Sequence, residues 1–215
     1  MGSSPCGIAF VARHGQTASN LRGRYAGRSD EPLTPEGRAE AAALVRRVAP
    51  YGIAEVWTSR IARARETADL VAAALRVPVH LDPRLDEMLL GPWEGLTEAE
   101  AAARFPEAYG LWLTRPDRVE LPGRETLAQV AERACAAVSD AAARRQPTLL
   151  ISHVAPIRVA ALAHLGLPLR YYKRVSVANA AAIEIEPEAG RVRRIGSKRQ
   201  LSDELRLSAA AGEVA

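Results

Sequence analysis

The chain has 215 residues, of which 48% are hydrophobic and 25% charged, with a formal net charge of +4. That length suits one α/β domain able to bury a core without staples, and the apolar content excludes a chain that is mostly disordered. The surplus charge is carried almost wholly by arginine, since Lys173 and Lys198 are the only lysines; it suits an anionic small partner and is too thin over this length to indicate nucleic acid.

In chain order, Gly7 to Ala12 (GIAFVA) is a short, nearly continuous apolar run, as expected of a strand buried on both faces of a parallel sheet. It ends on Arg13-His14-Gly15-Gln16-Thr17. Thr34 and Pro35 then open a helix as N-cap and first helical residue, with Leu44, Val45 and Val48 at helical spacing. Ala54 to Thr58 reads as a second strand and Ile61 to Leu75 as a helix with Ala64, Ala68, Val71, Ala72 and Leu75 on one face. Val77 to Leu81 reads as a third strand. Residues 84–124 are rich in glycine, proline and tryptophan and read as an insertion of loops and short helices over the site. Glu125 to Arg144 is an Ala-rich helix, Thr148 to Ile151 a buried strand ending on Ser152-His153, and Ala155 to Leu165 a further helix. Ala181 to Ile185 and Arg191 to Ile195 alternate as a terminal hairpin. Residues 1–201 are expected to form one domain and 202–215 a frayed tail. The alternation of strands and helices predicts a three-layer α/β/α sandwich with a mostly parallel sheet.

Cys6 and Cys135 fit no CxxC spacing, so neither a disulfide framework nor a zinc site is expected. No run of about 18 apolar residues marks a membrane span. The first six residues lack the pattern of a secretory signal, and Cys6 stands where a myristoylation signal wants Ser or Thr. The expected address is the cytoplasm.

His14 and His153 each follow a buried strand, and parallel strands place their carboxyl ends on one edge. With Arg13 beside them they suggest an anion pocket, because a guanidinium offers paired donors that match phosphate oxygens. His80, in a strand, and His164, in a helix, read as structural. No metalloprotease spacing, nucleophile elbow, P-loop or dinucleotide fingerprint is present. What remains is histidine itself as a nucleophile toward phosphorus.

Longer blocks extend this pattern. They are Val11 to Asn20 (VARHGQTASN), Arg24 to Thr34, Thr58 to Ala68, Arg84 to Glu87 with Gly91 to Thr97, Pro122 to Thr126 (PGRET), and Ser152-His153 with Pro156 to Arg158. Taken in order, from about residue 8 to about residue 186, they resemble the histidine phosphatase superfamily, also called phosphoglycerate mutase-like. The resemblance implies that sandwich fold, no metal and no cofactor. It implies that His14 takes the phosphoryl group and that Arg13, Arg63 and His153 hold its oxygens, with His153 protonatable and the cations keeping His14 neutral. Glu87 would be the acid for the leaving oxygen and then the base for water, in preference to Glu94 of the same loop and with the Trp93 loop desolvating it. Asn20 would complete the phosphate ring, and Gln16, Thr17 and Gly27 would lie near it.

Two positions depart from the family's pattern. Val154 follows the second histidine where glycine is usual, and would crowd whatever lies beside the phosphate. Arg124 replaces the second glycine of the PGGES element, and would either read a second anionic group or face solvent. The segment after the acid loop lacks the longer basic stretch of the mutases, and the Trp93 to Thr97 and Pro-Gly-x-Glu elements look more like the α-ribazole and broad-specificity phosphatases. The expected activity is therefore a phosphomonoesterase acting on a small phosphorylated metabolite, as a monomer or homodimer. The alternatives are a cofactor-dependent phosphoglycerate mutase and an inactive phosphate-binding protein on the same scaffold. The cations Arg191, Arg193, Arg194, Lys198 and Arg199 are expected on the exposed face of an edge strand rather than on nucleic acid.

Overall fold

A computed structural model describes residues 7–205. In β1 (Ala9–Arg13), Ala9 and Val11 enter one apolar cluster and Phe10 and Ala12 the other. That division follows from the two-residue period of a strand covered on both faces. β4 (Thr148–Ser152) divides likewise, Leu150 to the first cluster and Leu149 and Ile151 to the second. β2 (Glu55–Thr58) and the short β3 (Val79–Leu81) continue the parallel block. β5 (Ala182–Glu186) and β6 (Arg191–Arg194) add an antiparallel hairpin, for a sheet order of β3-β2-β4-β1-β5-β6.

Helices cover both faces. α2 (Pro35–Val48), which follows the single turn α1 (Ala18–Leu21), and α3 (Ala62–Leu75) bury Leu44, Val48, Ala68 and Val71 against one face. α6 (Leu127–Ala142) and α7 (Val154–His164) bury Val130, Val138, Ile157 and Leu162 against the other. This is the expected α/β/α sandwich. Residues 84–124 form short turns together with α4 (Glu98–Arg104) and α5 (Pro106–Thr114). They also supply core: Trp93 is fully buried, with ring centroids 5.9 Å from Tyr25, 5.9 Å from Tyr109 and 5.8 Å from Trp112.

Two features set the position of the site. Arg13 pairs with Ser152 in the parallel register of β1 and β4, and the His14 N–H donates to the Ser152 carbonyl. The residues that follow the two strand ends are thereby side by side, with the His14 and His153 rings 5.0 Å apart. The second feature is a close backbone approach after β1. A Cβ on Gly15 would lie 2.3 Å from the Gly37 carbonyl oxygen, and one on Gly37 would lie 2.2 Å from the Gln16 carbonyl oxygen. Only glycine lets this loop run against the first turn of α2, which Thr34 caps by accepting from the Gly37 N–H.

The tail differs from expectation. Residues 201–205 are helical and bury Leu201 and Leu205, so the chain stays packed past residue 202. Apolar contact holds this turn where its polar composition suggested fraying; residues 206–215 lie outside the described residues. Cys135 is half-buried on α6, while Cys6 and the other terminal signals lie outside the described residues. Of the C-terminal cations, Arg191 and Arg193 pair with Glu186, and Arg194 with Glu204. No helix among the described residues is long and apolar enough to cross a membrane.

Candidate active site

His14 is buried at the carboxyl end of β1. Its Nδ1 lies 2.7 Å from the Gly15 carbonyl oxygen, and its Nε2 accepts from Arg63 Nε at 3.1 Å. A carbonyl can only accept, so Nδ1 carries the ring proton and Nε2 keeps its lone pair. Burial, and then the charges of Arg63 and Arg13, hold the imidazole pKa well below its ordinary value. The ring is therefore neutral near pH 7 and offers Nε2 as a nucleophilic nitrogen. The supporting backbone is itself tied, with Gly15 N–H donating to the Thr67 hydroxyl and that hydroxyl to the Arg63 carbonyl.

Arg63 is almost fully buried on α3. Its Nη1 donates to the Ser29 carbonyl and its Nη2 to the Gly27 carbonyl, which aims Nε at His14. The glycine has a left-handed φ of +53°, and a Cβ there would strike the Glu94 carboxylate. Arg13 donates from Nη1 to the Val177 carbonyl and keeps a buried Nε without a partner. Burial pushes its pKa down to about 10, opposed by the charge of Glu87. Both arginines line a cavity of about 290 Å³ with His14, Asn20, Gly27 and Glu87. The Asn20 side-chain oxygen accepts from Thr17 N–H and from Asn179, leaving its NH₂ as the group it can offer a ligand.

His153 is also fully buried, and it does not line this cavity. Its Nε2 lies 2.8 Å from the Ser59 hydroxyl, which donates to Asp86. A hydroxyl that has spent its one proton on a carboxylate must accept from the ring, so Nε2 carries the hydrogen and Nδ1 has no partner. Burial, then Arg63 and the neighbouring His14, lower its pKa well below the ordinary value. The expectation that His153 adds a positive charge is corrected accordingly: with the pocket as it stands, the ring is neutral.

Glu87 reaches the cavity on the loop after β3. Its Oε1 accepts from its neighbour Met88 N–H at 2.8 Å and from Ala155 N–H in the first turn of α7 at 3.2 Å. The loop is strapped from behind. Arg28 donates to the Glu87 carbonyl, and Arg133 on α6 donates to the carbonyls of Arg84, Asp86 and Glu87. Glu125 pairs with both arginines and accepts from Leu89 N–H. These residues, with Ser59, Asp86 and Asn179, were not singled out by their residue types; Arg28, Ser59, Asp86 and Glu125 carried a signal only in lying within the family-like blocks, and Arg133 and Asn179 carried none.

The structure brings Arg13, His14, Asn20, Gly27, Arg63, Glu87 and Val154 to the cavity, and leaves Gln16, Thr17 and Arg124, like His153, off its wall. The Gln16 side chain accepts from Thr34, and the Thr17 hydroxyl donates to Glu31, so both serve the loop and not the cavity. Arg124 neither lines the cavity nor faces solvent. It is buried with its guanidinium carbon 5.2 Å from the Trp93 ring centroid and 4.9 Å from that of Trp112, donating to the Val119 carbonyl. Aromatic faces attract the cation and draw it inward. Trp93 serves this packing. Val154 is the first residue of α7 with His153 as N-cap, so its backbone is helical from the start. Glu94 is exposed beside Gly27.

A mostly parallel sheet with a neutral histidine and two arginines gathered at its carboxyl edge defines an anion-handling α/β protein. The chain belongs to the histidine phosphatase superfamily (branch 1), whose family model matches residues 9–197. It is 28% identical over 184 residues to phosphoserine phosphatase 1 of Hydrogenobacter thermophilus, covering 85% of this chain and 87% of that protein. It is 32% identical over 185 residues to the protein named Probable phosphoglycerate mutase GpmB of Yersinia enterocolitica, covering 82% and 83%. Among solved structures, a mycobacterial glucosyl-3-phosphoglycerate phosphatase in complex with VO3 superposes with a TM-score of 0.76 at 27% identity, covering 87% of this chain and 96% of that one.

Proposed function

We propose that the protein is a phosphomonoesterase that hydrolyses a small phosphorylated metabolite through a phosphohistidine on His14. The observation that carries this reading is the His14 ring itself: Nδ1–H is spent on the Gly15 carbonyl, and the Nε2 lone pair faces Arg63 in a cavity that also holds Glu87. In the first step Nε2 attacks phosphorus and the ester P–O bond breaks. Arg63 Nε–H moves from the nitrogen to a phosphoryl oxygen, and Arg13 takes another. The leaving oxygen receives its proton from Glu87. Oε1 of Glu87 is already occupied by two N–H donors, so the proton rides on Oε2. In the second step the Glu87 carboxylate takes a proton from water as its oxygen attacks phosphorus. The N–P bond breaks, phosphate leaves, and Glu87 is again protonated. Such a reaction asks the protein mainly for position and positive charge.

His153 acquires a role once the anion arrives. A dianionic phosphoryl group opposes the effect of the arginines and favours a proton on Nδ1, which turns an orphaned atom into a donor. The proposed partner is the metabolite alone, met in the cytoplasm by a monomer or homodimer.

The test is rapid acid-free quenching with a ³²P-labelled ester, followed by digestion. An acid-labile phosphohistidine on the His14 peptide, absent in His14→Ala together with phosphate release, is the expected result. Label on another residue, or unchanged turnover in His14→Ala, overturns the assignment. The similarity to the Yersinia protein favours a second reading, a phosphoglycerate mutase. Incubation with 3-phosphoglycerate and 2,3-bisphosphoglycerate separates the two: isomer exchange with little free phosphate marks the mutase.

A further inference from the structure

Three of the residues gathered at the cavity are held from behind by one segment, residues 177–181, which leads into β5. Arg13 donates from its backbone N–H to the Ala181 carbonyl at 3.0 Å and from Nη1 to the Val177 carbonyl at 2.9 Å. The His14 carbonyl accepts from Ala180 N–H at 3.1 Å. Asn20 Oδ1 accepts from Asn179 Nδ2 at 2.9 Å. The segment adopts an uncommon backbone to reach these partners. Ala180 is buried with φ +51°, and among the described residues it is the one non-glycine residue with positive φ away from a helix end, Arg76 being the C-cap of α3. A left-handed alanine persists only where its surroundings over-determine it. Here His14 holds its N–H, and Arg47 donates to its carbonyl at 2.9 Å.

The side chain that this turn presents is Asn179, and it does not line the phosphoryl cavity. It lies in an adjoining hollow, whose wall it shares with Arg13 and Asn20. Its polarity is dictated by the backbone. Nδ2 lies 3.4 Å from the His14 carbonyl, which can only accept, so the amide nitrogen and not the oxygen faces both His14 and Asn20. Asn20 therefore turns its oxygen toward Asn179 and Thr17 N–H and keeps its NH₂ for the cavity. Little else fixes that choice, since α1 is a single turn that buries no residue. An asparagine amide rotated by half a turn has nearly the same shape and the opposite polarity. It would then present an oxygen to an anion. Water in place of the Asn179 amide imposes no polarity, because water donates and accepts equally.

We propose that Asn179 is a positioning residue for the phosphoryl site, which passes the fixed polarity of the His14 carbonyl through two amides and so holds the Asn20 NH₂ toward the anion. Asn179 itself touches no ligand. The proposal rests on the phosphomonoesterase reading for its effect on turnover, and on the anion pocket alone for its effect on binding.

The experiment is a double-mutant cycle of Asn20→Ala, Asn179→Ala and the pair together. Sulfate affinity is measured by calorimetry at constant pH, and turnover of p-nitrophenyl phosphate is followed in parallel. Each single variant is expected to lose at least about tenfold in sulfate affinity and in kcat/KM, the scale of a hydrogen bond to a charged group. The double variant is expected to match Asn20→Ala within about twofold. A merely structural role predicts the contrary, two losses that multiply. Multiplying losses, no loss in either single variant, or a wild type that binds no sulfate overturns the proposal. Should Asn179→Ala fail to fold, Asn179→Asp takes its place in the cycle. It keeps the shape but, ionised at pH 7.5, has no donor for Asn20, and its added charge acts in both backgrounds alike. Its penalty is expected to shrink by at least about tenfold once Asn20 is alanine, and an unchanged penalty overturns the proposal. If wild type binds sulfate but releases no phosphate from p-nitrophenyl phosphate or from a panel of other phosphomonoesters, the phosphatase reading falls, and the sulfate cycle alone decides the role of Asn179.

Discussion

The Ser59 hydroxyl lies 2.8 Å from His153 Nε2 and gives its own proton to Asp86. That one relationship assigns the His153 tautomer and leaves Nδ1 bare. A bare Nδ1 beside two arginines becomes a donor only by taking up a proton. Anion binding is therefore expected to be linked to proton uptake. Sulfate is a suitable probe, since its own charge is constant near neutrality. Its affinity should rise by up to about tenfold per pH unit as pH falls from about 8 to about 6. Titration calorimetry in two buffers of different ionisation heat would read the proton directly; no proton uptake would refute the link.

Ser59→Ala should separate tautomer control from packing. The hydroxyl also accepts from Ile61 N–H at the start of α3. Its loss is expected to cost about 1–3 kcal/mol in the transition state, or about five- to 150-fold in kcat. Steady-state kinetics with p-nitrophenyl phosphate provides the measurement, and an unchanged pH profile with a lower melting temperature would indicate a structural role only.

Stability should fall on mild acidification. His14 and His153 both have folded pKa values well below 6.5, their ordinary value. Each binds fewer protons folded than unfolded, so stability rises with pH. Their contribution is complete above pH 6.5 and is lost as pH drops below it, ahead of most carboxylates. Melting temperatures between about pH 7.5 and about pH 5.5 should slope downward, and His153→Gln should flatten the slope. A flat wild-type curve would contradict the buried neutral pair.

Gly37→Ala tests the crossing of the β1 loop and α2. The new methyl group meets the Gln16 carbonyl oxygen at 2.2 Å, so backbone must move. Overpacking of this kind costs about 1–3 kcal/mol. A displacement of about 1 Å passed on to His14 costs about a hundredfold in rate. Denaturation and phosphate release should therefore both suffer, although Gly37 touches no ligand.

Arg124→Ala distinguishes an internal cation from a ligand contact. Loss of its two aromatic partners and its bond to the Val119 carbonyl should lower unfolding free energy by about 1–3 kcal/mol. KM for p-nitrophenyl phosphate should stay within about twofold. A large rise in KM without loss of stability would return Arg124 to the substrate.

Much of this was local and therefore legible. An apolar run that stops on Arg13-His14, and another that stops on Ser152-His153, announce two buried strands with chemistry at their ends, because burial and polarity change within a single residue. The ordered blocks that resemble the superfamily point to Arg63 and Glu87 from the sequence alone. Side-chain destination was not legible. Arg63, Arg124, Arg133 and Arg158 look alike in sequence, each an arginine in or beside a helix. The fold sends the first to His14, the second between two tryptophans, the third behind the Glu87 loop and the fourth to the cavity wall. Likewise Ser59, Asp86 and His153 are far apart in the chain and act as one relay only because β2, β4 and the loop after β3 end on the same edge. Sequence alone determined which residues can be strand, helix and strand-end, since those follow from nearest neighbours. Burial, tautomer and the pairing of each charge were decided by tertiary structure, since they depend on the desolvation and partners that distant segments supply.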